Sequence, residues 1–113
     1  MKEICSFRSA ERQDVPLILR YIRELARYEK LEEEVVATEE ILEEWLFDKE
    51  KAEVIFAVVE GKEVGFALFF HNFSTFLGRA GLYLEDLFVK PEYRGKGYGK
   101  AILKKHFVKA GIV

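Results

Sequence analysis

The chain has 113 residues, half of them hydrophobic and 14% aromatic, with a formal net charge of −2. That size and composition suit one globular domain, expected over residues 1–113, with one modest core. Its apolar runs are too short and too broken by charge to span a membrane, and Met1-Lys2-Glu3 leads into no signal-peptide core. The lone Cys5 excludes an internal disulfide or a cysteine-based metal cluster and points to the reducing cytoplasm, where the role of a small buried hydrophobe suits it.

In chain order, residues 4–8 read as a first strand. Asp14 then caps a helix whose apolar face is Val15, Ile18, Ile22, Leu25 and Ala26, with Pro16 harmless in its first turn. Thr38 caps a second helix with an apolar stripe of Ile41, Leu42, Trp45 and Leu46. Both helices are expected on one sheet face. Residues 54–59 and 64–70 are strands joined by a hairpin turn at Glu60-Gly61-Lys62-Glu63, and residues 72–80 form the next loop. A fourth strand covers 81–89, Lys90-Pro91-Glu92 ends it, and a helix runs from about 97 to 109. The order is βααβββα, an α/β fold of mixed sheet and helices.

The net charge conceals a segregation. Residues 29–63 hold 13 acidic and 4 basic side chains, whereas residues 90–113 hold 7 basic and 1 acidic. The basic end suits phosphate, and the acidic stretch suits a cationic amine or consists of solvated helix faces. A net acidic chain without interleaved aromatic and basic residues outside one loop argues against a nucleic-acid partner. His71 and His106 stand alone without a second ligand at metal spacing, so no metal is expected.

Most informative is the run Leu84-Glu85-Asp86-Leu87-Phe88-Val89-Lys90-Pro91-Glu92-Tyr93-Arg94-Gly95-Lys96-Gly97-Tyr98-Gly99, an apolar strand, a glycine-rich turn and a helix start in succession. Glycines let backbone approach a ligand, and a helix start directs unpaired N–H groups at an anion. Lys100 stands where a dinucleotide loop needs its third glycine, and no Gly-Lys-Ser/Thr triplet exists, so both common nucleotide loops are excluded. Arg94-Gly95-Lys96-Gly97-Tyr98-Gly99 resembles the coenzyme A pyrophosphate loop of the GNAT N-acetyltransferase superfamily. Leu25-Ala26-Arg27-Tyr28-Glu29, Glu32-Glu33, Val64-Gly65-Phe66-Ala67 and Leu82-Tyr83-Leu84-Glu85-Asp86 extend the likeness to its diamine (spermidine/spermine) branch, matched in order from about residue 7 to 103.

The resemblance implies a GNAT fold that continues after the last helix with a strand, a helix and a hairpin, absent here. It also implies transfer of acetyl from acetyl-CoA to a primary amine of a diamine- or polyamine-like molecule, by a homodimer. Main-chain groups of Leu87, Phe88 and Val89 are expected at the oxyanion and pantetheine. Arg94, Gly95, Lys96, Gly97, Tyr98, Gly99 and Lys100 are expected at the phosphates, the lysines as point charges. Tyr28 and Glu29 are expected at the amine, although Tyr28 also reads as a last core contact of the first helix.

The resemblance to the diamine branch makes Glu85 the expected general base, acting directly or through a water. Glu85 and Asp86 interrupt an apolar strand, where burying charge is costly without a reason. Alternation sends them to opposite faces unless a bulge intervenes, and a structural role is expected for Asp86. The family's acid is a tyrosine beyond a fifth strand, a place Tyr98 does not fill. The alternative is a non-catalytic coenzyme A-binding remnant or regulatory module.

Overall fold

The computed structural model describes residues 5–104; His106, Lys105 and the expected helical turns to Lys109 lie outside them. Seven elements follow the expected order: β1 (Cys5–Ser9), α1 (Val15–Tyr28), α2 (Glu39–Glu43), β2 (Glu53–Val59), β3 (Lys62–Ser74), β4 (Arg79–Val89) and α3 (Tyr98–Leu103). The strands form one sheet in the order β1-β2-β3-β4, and every pairing is antiparallel. No parallel pair of the expected mixed sheet falls among the described residues.

Both sheet faces are covered, so β2 is apolar at successive positions and not at alternate ones. Val54 and Phe56 point to the α1/α2 side and pack with Ile18, Tyr21, Leu46, Phe66 and Phe88. Ile55, Ala57 and Val59 point the other way, towards Tyr98 and Ile102 of α3. Tyr21 enters the first cluster because its hydroxyl donates to the Glu63 carbonyl at 2.8 Å, which satisfies its one polar atom. Periodicity alone passed over Tyr21 and Leu19, both buried, and placed Ile22 and Leu25 deeper than their half-buried positions.

Three boundaries differ from expectation for identifiable reasons. Asp14 precedes α1 but its side chain does not cap it. The carboxylate instead takes the Arg8 fork at 2.8 and 2.9 Å and the Glu11 N–H at 2.7 Å. Thr38 does cap α2, accepting from Ile41 N–H at 3.2 Å. α2 then gives way to a π-helical turn over Glu44–Asp48, which shifts the helical phase and leaves Ile41 and Trp45 exposed while Leu46 is buried. Finally, residues 72–74 are strand and not loop, since Asn72, Phe73 and Ser74 pair with Gly81, Ala80 and Arg79.

The β2–β3 turn is two residues, Glu60 and Gly61, with φ of 52° and 76°. Two successive positive φ values are the signature of the tight turn whose twist matches a hairpin.

Candidate functional site: a glycine loop beside a carboxylate cluster

β4 is the outer strand of the described sheet, and its register decides which backbone groups face its open edge. Lys90 N–H donates to the Val64 carbonyl at 2.8 Å. Hydrogen-bonded and non-bonded positions alternate in an antiparallel ladder, so Phe88, opposite Phe66, turns its backbone towards β3. Leu87 and Val89 therefore turn theirs to the open edge. Of the three positions expected to offer main-chain groups, two face the open edge in this register, and the Phe88 ring is buried.

Close approach at Gly65 fixes this part of the ladder. A Cβ there would stand 2.6 Å from the Phe88 carbonyl oxygen, a distance that no side chain tolerates without backbone movement.

The ladder breaks one step earlier. Leu68 pairs with Asp86 and Phe69 with Leu84, leaving Glu85 as the extra residue of a bulge. Strict alternation between Glu85 and Asp86 is thereby lifted. Glu85 is exposed and Asp86 half-buried. The Asp86 carboxyl is raised above the ordinary aspartate range, first by burial and then by the charges of Glu85 and Glu29. Glu29 follows the last residue of α1, so the chain brings a helix end and a strand bulge into one field of three carboxylates. Among the described residues Asp86 makes no ion pair or hydrogen bond. The sequence reading gave Asp86 a structural part; two adjacent carboxylates in an apolar strand were the available signal of the bulge, but alternation does not say where an extra residue falls.

Beyond Val89 the chain turns through Pro91–Tyr93 into the glycine loop. Gly95 and Gly97 have φ of 80° and 84°, a conformation that costs an L side chain about 1–2 kcal/mol. An added Cβ at either would meet nothing within 4 Å, so open space lies beside both. Among the described residues neither glycine's N–H donates a backbone hydrogen bond. Gly99 differs: its Cβ would sit 3.5 Å from Leu87 Cδ2 and 3.7 Å from Val89 Cγ2, in ordinary contact. Its smallness is thus not required by the packing.

Tyr98, 8% exposed, anchors α3 in the core with Ile102, so only its backbone is placed to meet a ligand. Lys96 and Lys100 are exposed, and the Lys96 ammonium lies 5.5 Å from the centre of the Tyr93 ring. Arg94 donates its Nε–H to the Val89 carbonyl at 2.7 Å, and its guanidinium lies 4.5 Å from the Tyr28 ring centre and 5.5 Å from that of Phe88. Tyr28 is 69% exposed and is not a core residue.

Among the described residues the site is an open strand edge. A cavity of 430 Å³ lined by Ser9, Phe47, Glu50 and Val54 among others shares no residue with it.

These features belong to a described class. Residues 18–110 match the model of the Acetyltransferase (GNAT) family, and the chain belongs to that family. It is similar to the thialysine N-epsilon-acetyltransferase of Bos taurus, with 44% identity over 107 residues, covering 87% of this chain and 62% of the relative. It is 33% identical to the human spermidine/spermine N(1)-acetyltransferase-like protein 1 over 87% of this chain and 15% of that protein. Among solved structures, a ribosomal-protein-alanine N-acetyltransferase from Brucella melitensis shares the fold, with a TM-score of 0.76 at 23% identity over 96% of this chain and 72% of that one. The chain thus spans about three fifths of the length of the thialysine enzymes it matches.

Proposed function

We propose that the chain forms the coenzyme-binding and base-bearing part of an N-acetyltransferase that acts on a primary amine of a small cationic molecule. The observation that carries this reading is the adjacency of two constellations: a glycine loop with open space at Gly95 and Gly97, and the carboxylates Glu29, Glu85 and Asp86 one strand turn away.

The residues present fit acetyl-CoA. The N–H groups of Gly95 and Gly97, which make no backbone hydrogen bond among the described residues, and the positive charges of Arg94, Lys96 and Lys100 suit its phosphates, and the edge-facing groups of Leu87 and Val89 suit its amide arm and acyl oxygen. When bound it supplies an activated acyl group. The protein's part is to hold an ammonium group near the carboxylates and to remove its proton. Glu85, exposed on the bulge, is placed to accept that proton directly or through a water. Glu29 and Asp86 add negative potential that concentrates a cation there, the same field that raises Asp86. Thialysine, the substrate named for the bovine relative, carries such an amine. A homodimer in the cytoplasm belongs to the same reading; the outer edge of β4, unpaired among the described residues, supports the first and the lone cysteine the second.

Titration of acetyl-CoA by calorimetry tests the cradle. Binding by the wild-type chain that disappears in Gly97→Glu is expected, and no binding by the folded chain would reject the reading. Thiol release with thialysine then tests turnover, with Glu85→Gln expected to lower kcat by about 10² to 10³. Binding without turnover would favour the non-catalytic alternative.

A further inference from the structure

The Arg94 side chain is committed on three sides. Its Nε–H is bonded to the Val89 carbonyl at 2.7 Å, and its guanidinium lies within cation–π distance of Phe88, at 5.5 Å, and of Tyr28, at 4.5 Å. Val89 and Phe88 are the end of β4, whereas Tyr28 is the last residue of α1, next in sequence to Glu29 of the carboxylate cluster. Its two Nη groups make no hydrogen bond among the described residues and are left for a ligand. Between Arg94 and the buried Tyr98, the loop passes through two glycines at positive φ, and a Cβ at either would meet nothing within 4 Å, so no side-chain packing holds those two positions. A chain of two flexible glycines keeps one shape only if its ends are held.

We infer that Tyr28 is a positioning residue for the coenzyme loop: its ring clamps the Arg94 guanidinium, so that the amine side of the site controls the order of the phosphate side. This rests on the proposed function only for what the loop binds; the clamp itself is a property of the free chain. The inference departs from the expectation that Tyr28 grips the amine, since one face of its ring is already taken by a cation of the protein. It also gives Arg94 a requirement that charge alone does not meet. A lysine keeps the charge but loses the Nε–H bond and the planar group that stacks.

The test uses four variants of the 113-residue chain, Tyr28→Ala, Tyr28→Phe, Arg94→Lys and Gly97→Glu, and two readouts. In the free protein, amide exchange is followed at Tyr93, Arg94 and Ala101, whose N–H groups donate to the carbonyls of Lys90, Pro91 and Gly97 and so bracket the loop. Coenzyme A affinity is measured by calorimetry. Tyr28→Ala is expected to speed exchange at these amides and to weaken coenzyme A about three- to fivefold, the scale of one exposed cation–π contact. Tyr28→Phe, which keeps the ring, should restore both values, and Arg94→Lys should match or exceed the Tyr28→Ala defect. Because Tyr28 is largely exposed, its removal leaves the core intact and the thermal midpoint should hold.

Unchanged exchange in Tyr28→Ala overturns the inference, even if coenzyme A binds and Gly97→Glu abolishes that binding. Faster exchange rescued by Tyr28→Phe, in a chain that binds no coenzyme A, sustains the clamp and rejects the proposed function instead.

Discussion

Asp14 and Asp86 are displaced from the ordinary aspartate range in opposite directions, and the two displacements have opposite consequences for stability. Asp14 takes a two-pronged bond from Arg8, which holds its carboxyl below the usual range against the opposing effect of burial. A depressed carboxyl contributes stability that is present above the unfolded pKa and is lost as pH falls through the folded one. Arg8→Ala should therefore cost about 2 kcal/mol near neutrality, read from the urea midpoint, and the loss should shrink in acid. For Asp86, raised by burial and by Glu85 and Glu29, the sign reverses. The native state binds its proton more tightly than the unfolded chain, so stability falls as pH rises from the unfolded pKa through the raised one. Asp86→Asn should melt higher than wild type at pH 7, with the difference vanishing in acid, and should bind a cationic amine more weakly. Equal midpoints at pH 7 would mean that burial and repulsion at Asp86 are not what the geometry indicates.

At the level of elements, the β3–β4 pair is held in register by close contact as much as by hydrogen bonds. Gly65→Ala forces the Phe88 carbonyl away and should cost about 1–3 kcal/mol in denaturant unfolding, with amide shifts concentrated at Leu87–Val89. Gly97→Ala should cost about 1–2 kcal/mol for backbone conformation alone, whereas Gly99→Ala should fold at little cost. The contrast separates glycines that the free fold requires from one that it does not. Elements marked by local chemistry were readable in the sequence: the turn at Glu60-Gly61, the Thr38 cap and the Arg94 to Gly99 loop each depend on a few adjacent residues. Features that depend on a phase change were not. The π turn after α2 moved Trp45 outward, where Lys49 now covers its ring at 4.0 Å, and no periodic pattern anticipates a shift of that kind. The extra residue at Glu85 is of the same type. Tyr21 was hidden for another reason, since its burial depends on the Glu63 carbonyl, a partner 42 positions away. Residues 72–74 read as loop because Phe73 is their one apolar residue and is flanked by Asn72 and Ser74, yet the ladder with 79–81 continues through the backbone.

Across the whole molecule, charge is segregated along the chain. The acidic stretch over residues 29–63 follows α1 and runs through α2, β2 and the β2–β3 turn, whereas the glycine loop with α3 carries the basic one. Coenzyme A affinity should fall as salt rises from 50 to about 500 mM, since exposed Lys96 and Lys100 are screened over a Debye length of about 10 Å at 0.1 M. An affinity indifferent to salt would place the phosphates away from these lysines. The antiparallel sheet has a temporal consequence as well. β2, β3 and β4 are consecutive in sequence and adjacent in space, joined by short turns, so they form a meander of local contacts that closes with little loss of chain entropy. On a growing polypeptide this meander, with its bulge and its Gly65 contact, is complete before Tyr98 emerges. The β4 edge is thus available to assemble first, and α3 docks onto a template that already exists.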